Sequence, residues 1–470
     1  MGAETYDLAI IGAGSVGLIA AEFAVKLGAR IALLEKDRIG GDCTWSGCVP
    51  SKSLLKIATV AHDMRAASQF GIQSQAPVID MVKVREYLRS TVQQIYKGTT
   101  PEEMQQKGMD VFFGPVSFVN PHTLLVGKSL LTAKKILIGT GAQPAIPPIP
   151  GLNEIPFLTY REIFENDRLP QTMVVIGGGP VGVETAQAYQ RLGTKVTIFA
   201  ERLLPKEEQD ASEIILQVLQ REGIQIVSER VLSVAKSGGT QIAVRSERNK
   251  VECDLLFVAA GRRPTLDGLN LEAAGVKYTE HGIEVNDHLQ TSTSTIYAAG
   301  DVLGGQQFSH FAGWQGFQAA RNALLPGSNS GFSSAMPRVT FCKPEVAQVG
   351  QTEAEARSSD PNNVVVASWP ITRVDRAVCD NDLEGMLKII TTREGTILGA
   401  TIVGHSAGEA IIEIVLAMQH RLKVSDLAGT IHPYPTYCTG IQVLATEMAV
   451  EHSLTGFSGA LIRAASKMAR

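Results

Sequence analysis

Cysteine is scarce in this chain. Six cysteines in 470 residues exclude a disulfide framework and point to a reducing compartment, where a close thiol pair reads as catalytic or metal-binding. A charge excess is missing as well. The 43 basic and 47 acidic residues leave a net charge of −4, which gives no footprint for nucleic acid or an anionic membrane surface. No apolar stretch is long enough to span a bilayer. The opening MGAETYDLAIIGAG enters a strand pattern almost at once and leaves no room for a leader, so a cytoplasmic protein is expected. What remains is an ordinary globular composition, 44% hydrophobic and 19% charged, long enough for two to four domains.

Two of the few cysteines fall together in GGDCTWSGCVPSK, residues 40–52. Cys43 and Cys48 could form a zinc site, a static staple or a redox pair. Zinc needs about four ligands, and no second CxxC or HxxxH supplies them, so no metal site is expected. A static disulfide is disfavoured by compartment. Redox use fits best, because the working species is a thiolate, favoured by a helix N-terminus or a nearby cation. Cys253, Cys342, Cys379 and Cys438 are scattered and read as small buried hydrophobes, with Cys438 the one to watch.

Glycine is abundant where nucleotides would need it. In YDLAIIGAGSVGLIAAEFAVKLGARIALLEK, a buried strand runs into Gly12, Gly14 and Gly17, then an apolar helix and a second strand ending at Glu35. Glycines at that spacing let backbone approach a pyrophosphate at a helix N-terminus, and the carboxylate can take ribose hydroxyls. The layout repeats around Gly177, Gly179 and Gly182 in MVVIGGGPVGVETAQAYQRLGTKVTIFAERL. Here Ala200 stands where Glu35 stood, followed by Glu201 and Arg202. A missing acid beside an arginine favours NADPH slightly, although Glu201 offers a ribose ligand. Two such folds predict two dinucleotides, and with a dithiol beside the first they suggest a flavin, a nicotinamide and a thiol relay.

Nearly the whole chain resembles the FAD-dependent pyridine nucleotide–disulfide oxidoreductases, the family of glutathione reductase, dihydrolipoamide dehydrogenase and mercuric reductase. GGDCTWSGCVPSK resembles the family's redox motif, KILIGTGAQP (135–144) its first crossover, and LLFVAAGRRPT (255–265) and TIYAAGD (295–301) the segments that close the nicotinamide domain. CKPEVAQVGQTEAEAR (342–357) resembles the start of its dimerisation domain. The resemblance implies an α/β protein with two Rossmann-like domains and a C-terminal α+β dimerisation domain. The boundaries would be 1–148 with 266–335 for FAD, 149–265 for NAD(P) and 336–470 for the interface. It implies a homodimer. It makes Cys48 the flavin-facing thiol and Cys43 the interchange thiol, puts Lys52 near the flavin paired with Glu184, and gives Gly41, Gly141 and Asp301 to FAD and Gly261 to NAD(P).

The chain departs from that family in IHPYPTYCTG, residues 431–440. Glutathione and lipoamide reductases carry a His-Pro-Thr-x-x-Glu segment there, whose His is the acid–base in the partner's site. Here Tyr434 falls at the His and Thr439 at the Glu. Tyr at that position resembles mercuric reductase, yet that enzyme's C-terminal cysteine pair is missing from LIRAASKMAR. His432 is two residues away, about 6.5 Å along an extended chain, and reads as structural rather than as a substitute base. The expected activity is electron transfer from NAD(P)H through FAD and Cys43–Cys48 to a disulfide or metal–thiolate acceptor. The alternatives are dihydrolipoamide dehydrogenase, and an FAD-binding dimer with a docking role and only diaphorase activity.

Overall fold

The computed structural model describes residues 5–454 and 456–469. They fall into two compact units. One joins the chain up to Gly177 with Arg191–Thr194 and Val231–Ser333; the other joins Gly178–Gln190, Lys195–Arg230 and the chain from Ser334 onward.

The first unit is built on a seven-stranded sheet. Its order is Met109–Phe113, Ile31–Glu35, Thr5–Ile11, Ser129–Ile138, Thr123–Val126, Val116–Asn120, with Ile296–Ala298 added against Ser129–Ile138. The strands around Thr5–Ile11 run parallel. Parallel strands are covered on both faces and read as continuous apolar runs; Leu8, Ala9 and Ile10 are accordingly fully buried. The long strand Ser129–Ile138 serves three partners, Thr5–Ile11 among them. Its first half pairs antiparallel with Thr123–Val126, and its last three residues pair parallel with Ile296–Ala298. That second pairing brings the AAGD turn, Ala298–Asp301, beside the first glycine motif. Helices Ser15–Lys26 and Ser309–Leu324 pack on one another. A short ribbon pairs Ala142–Pro144 antiparallel with Arg262–Pro264, so the two crossing segments of the chain are bonded to each other.

The second unit holds the helix Pro180–Leu192 up to Gln190, the parallel pair Lys195–Phe199 with Gln225–Val227, and a five-stranded antiparallel sheet. That sheet runs Arg338–Thr340, Glu345–Gly350, Ile397–Gly404, Met386–Thr392, Val364–Pro370. Helices Ala407–Gln419 and Cys438–Ser453 cover it through Ile411, Ile414 and Leu444, which share a core with Leu387, Ile389 and Ile402. Lys388 points off this sheet into a cage of carboxylates, 2.6 Å from Asp210 and 3.3 Å from both Glu208 and Glu353. Among the described residues no helix is long and apolar enough to cross a membrane.

Candidate active site

The first glycine motif shows why glycine is required. Gly12 has φ +102°, and a Cβ there would stand 2.4 Å from Gly139 O. Gly41, from the thiol loop, has φ +62° and would clash at 2.9 Å with Gly14 Cα. The two segments therefore meet backbone to backbone at the N-terminus of Ser15–Lys26, an end whose first N–H groups suit a phosphate. Glu35 is locked in place: its oxygens accept from Ala13 N at 2.8 Å and Asp37 N at 2.9 Å. Each oxygen keeps a lone pair for a ribose hydroxyl.

Cys43 lies on the five-residue helix Gly41–Trp45, and Cys48 is the first residue of Cys48–Ala66. Both are free thiols in this structure and half-buried. The dipole of the helix that begins at Cys48 favours a thiolate at that end, and Pro50 is tolerated in its first turn. The Cys48 sulfur is 3.4 Å from Ser309 Oγ, at the start of Ser309–Leu324. The hydrogen bond to Cys48, then burial, push the Cys43 thiol well above the usual thiol range, with the Ser309 hydroxyl acting in the opposite sense. Cys43 thus holds its proton beside Cys48. Lys52 follows one turn after Cys48, on the same helix face.

Behind the thiol loop lies a polar cluster. Tyr160 Oη donates to Asp42 Oδ2 at 2.8 Å. Arg262 reaches the same oxygen at 3.3 Å and Asp301 Oδ2 at 3.0 Å. Burial raises the Asp301 carboxyl against the pull of Arg262. Asp301 Oδ1 is buried with no hydrogen-bond partner among the described residues. A buried orphan acceptor facing a glycine-lined cradle, with Glu35 at the far strand, fits a flavin dinucleotide's hydroxyls and phosphates.

In the second unit, Glu184 is buried and accepts from Phe341 N at 2.8 Å. One turn on, Gln187 clasps both Lys343 N and Lys343 O, at 2.7 and 2.6 Å. The end of Lys195–Phe199 carries Glu201, bonded to Arg230 at 2.9 Å. Arg202 turns the other way, to Ser212 Oγ at 3.4 Å and Glu207 O at 3.2 Å. Gly177, in the first unit, repeats the geometry of Gly12: its φ is +120°, with Ala259 O 2.3 Å from a Cβ position. Gly179 and Gly182 open the helix Pro180–Leu192, and Gly261 precedes the crossing strand Arg262–Pro264 as Gly141 precedes Ala142–Pro144.

The C-terminal segment separates its two candidates. Tyr434 is 71% exposed, and its hydroxyl donates to Asp375 Oδ2 at 2.7 Å, a bond that raises its pKa. The His432 side chain is only 5% exposed. Its Nε2 meets both Glu413 oxygens, at 2.8 and 2.9 Å, and its Nδ1 meets Thr430 O at 3.0 Å. A carbonyl only accepts, so Nδ1 carries a hydrogen, and neither ring nitrogen is left for a substrate. Thr439 Oγ1 donates to Pro433 O at 3.2 Å, inside the segment. Burial and then the charge of Glu413 raise the Cys438 thiol. Among the described residues no group of three or more potential ligands could hold a metal ion.

Ser309, Asp42, Tyr160, Arg230, Asp375 and Glu413 were not anticipated from the sequence. Asp42 lies inside the thiol motif but beside its cysteines rather than among them; the others sit in no spaced motif, and the partners of all six are remote in sequence.

Comparison with known proteins agrees with this geometry. Residues 6–324 match the family described as pyridine nucleotide-disulphide oxidoreductase, and residues 336–445 match its dimerisation domain. The mercuric reductase of Staphylococcus aureus is 34% identical over 448 residues, covering 94% of this chain and 82% of that protein. The dihydrolipoyl dehydrogenase of Thermus scotoductus is 34% identical over 461 residues, covering 94% of this chain and 97% of that one. Among solved structures, the HOCl-induced flavoprotein disulfide reductase RclA from Escherichia coli superposes with TM-score 0.83 at 29% identity, covering 94% of this chain and 99% of that one. LpdA from Mycobacterium tuberculosis gives TM-score 0.86 at 25% identity, with the same coverage.

Proposed function

Since the chain belongs to the pyridine nucleotide-disulphide oxidoreductases, and is therefore an FAD- and nicotinamide-dependent flavoprotein oxidoreductase, we propose that it reduces acceptors that need no proton delivered to a thiolate leaving group, above all thiol-complexed soft metal ions such as Hg(II). The observation that carries this reading is the Tyr434–Asp375 hydrogen bond. A phenol whose proton is committed to a carboxylate, with its pKa raised, is a poor acid. His432 cannot stand in for it, because its Nδ1 is engaged by the neighbouring Thr430 O and its Nε2 by Glu413 from the helix Ala407–Gln419.

When bound, FAD supplies the two-electron chemistry between NAD(P)H and the Cys43–Cys48 disulfide. Gly12, Gly14, Gly17 and Gly41 would admit its pyrophosphate, Glu35 its ribose, and Asp301 its sugar chain, with Gly141 at the crossover and Lys52 at the ring. Gly177, Gly179, Gly182 and Gly261 would frame the nicotinamide nucleotide. Ser309 Oγ lies in hydrogen-bond contact with the Cys48 sulfur and would steady its thiolate. With a disulfide substrate, Cys43 sulfur would attack one substrate sulfur as the S–S bond breaks, and the departing thiolate would need a proton. Cys48 would then attack the Cys43 sulfur, release the second thiolate and restore the internal disulfide. With a metal–thiolate complex, the two cysteine sulfurs displace existing thiolate ligands, and no such proton is called for. General acid–base help is worth about 10²–10⁴-fold, so its loss separates the two acceptor classes.

Two further RclA structures from Escherichia coli are Cu(II) complexes, which supports a metal acceptor. Dihydrolipoyl dehydrogenase is the second reading, favoured by a match over 97% of that enzyme's length. NADPH stays slightly favoured over NADH, with Arg230 as the guanidinium for a 2′-phosphate rather than Arg202, whose guanidinium is bonded to Ser212 Oγ and Glu207 O. The dimerisation domain implies a homodimer, and the reading keeps the domain limits at 148, 265 and 335 given above. One preparation assayed with Hg(II), Cu(II), lipoamide and glutathione disulfide, each with NADH and NADPH, tests the proposal. Fast lipoamide turnover that is indifferent to Tyr434 would overturn it in favour of the second reading.

A further inference from the structure

We propose that Asp42 and Tyr160 are positioning residues for the Cys43 thiol: through Arg262 they tie the backbone that carries Cys43 to Asp301, the carboxylate that awaits the flavin's sugar chain. This rests on the reading of Cys43 and Cys48 as a redox relay.

The helix that bears Cys43 has little to hold it. It is five residues long, and none of its residues is buried. Helices so short do not persist on propensity. It is entered through Gly40 and Gly41, both at positive φ, where the backbone is most permissive. Its anchors are polar and lateral. On one side Trp45 Nε1 donates to Ile39 O at 2.8 Å, and the ring packs 4.8 Å from Tyr96. On the other, Asp42 accepts from Tyr160 at 2.8 Å and from Arg262 at 3.3 Å.

The second anchor reaches further than the first. Tyr160 is 8% exposed, and burial pushes its phenol up to about 12, so it keeps its hydrogen and can only donate toward Asp42. Arg262 spends its two terminal nitrogens on two different carboxylates, Asp42 on the loop and Asp301 at the end of the AAGD turn. The guanidinium is a rigid planar fork, so a displacement of either carboxylate is passed to the other. The residue beside Cys43 thereby registers what Asp301 meets.

A misplacement of about 1 Å at a reacting atom costs about 10²-fold. Asp42→Asn keeps the shape of the side chain and removes the charge that Arg262 and Tyr160 hold; Tyr160→Phe removes one hydrogen bond. The test is rapid-quench alkylation of the holoenzyme after mixing with NADPH, with mass spectrometry counting new thiols at Cys43 and Cys48. Thiol appearance should slow by about 10²-fold in Asp42→Asn and about tenfold in Tyr160→Phe, while bleaching of the flavin and quinone turnover keep the parent rates. In the reduced apoprotein, iodoacetamide should label Cys43 faster in both variants, because the freed loop exposes it. Unchanged thiol appearance overturns the proposal. So does a parallel fall in flavin content, bleaching and melting temperature, which would make the cluster a plain structural brace. A parent enzyme that gains no thiols at all would bring down the relay, and this proposal with it.

Discussion

Ser309 Oγ lies 3.4 Å from Cys48 Sγ, and its influence extends to Cys43, whose pKa it lowers. One hydroxyl at the start of a helix therefore serves both sulfurs of the dithiol. A hydrogen bond to a charged group contributes about 1.5–3 kcal/mol. Ser309→Ala should raise the pH midpoint of the long-wavelength thiolate–flavin absorbance by about one unit or more, at 1.36 kcal/mol per unit. A pH titration of the NADPH-reduced enzyme measures it, and an unmoved midpoint would remove Ser309 from the site.

Because Cys43 is raised, its thiolate is the minor species at neutral pH. Below that pKa the thiolate fraction grows about tenfold per pH unit. The kcat/KM for a small disulfide should climb with pH from neutrality upward, while quinone reduction, which draws on the flavin, stays flat. The cysteines should also be unequal: Cys43→Ser keeps the long-wavelength band, Cys48→Ser loses it, and both lose disulfide reduction. Retained disulfide turnover in both variants would refute the relay.

Tyr434→His places an imidazole beside Asp375, which already offers a carboxylate. Lipoamide and glutathione disulfide turnover should rise by about tenfold or more, within the range open to general acid–base help, and rise again with Thr439→Glu. Tyr434→Phe and Asp375→Asn should lower metal-ion reduction more than quinone reduction. Steady-state kinetics with each acceptor decide this; equal effects on all acceptors would place Tyr434 outside the chemistry.

At the nucleotide end, Arg230→Ala should raise KM for NADPH several-fold, on the scale of about 1 kcal/mol for an exposed charge pair, and leave KM for NADH nearly unchanged. Arg202→Ala should do less, since its guanidinium is bonded to Ser212 and Glu207 O. The reverse ranking would restore Arg202 to the role read from its place after Glu201.

Much of this was visible in the chain before its fold was known. Gly12, Gly14, Gly17 and Glu35 are local: strand, turn, helix and strand follow in one run of about thirty residues, a length at which spacing alone defines a βαβ unit. The thiol pair is local too. The residues that complete the site are not. Ser309 is 261 positions from Cys48, Tyr160 118 from Asp42, and Arg262 220 from Asp42, and single residues at such separations leave no pattern. His432 shows the middle case. Its distance from the Tyr434 position argued against a base, but only Glu413, from another helix, supplies the reason.

The ribbon of Ala142–Pro144 and Arg262–Pro264 has one more consequence. The chain between them departs and returns through a single antiparallel contact, so the entropy of closing that excursion is settled at its neck and depends only weakly on what the excursion contains. A foreign nucleotide module whose two ends stand as far apart could splice into the same neck, but only if Tyr160 is kept, since that residue lies in the excursion and holds Asp42 beside Cys43; a graft that omits it should keep the parallel sheet and lose the set of the thiol loop.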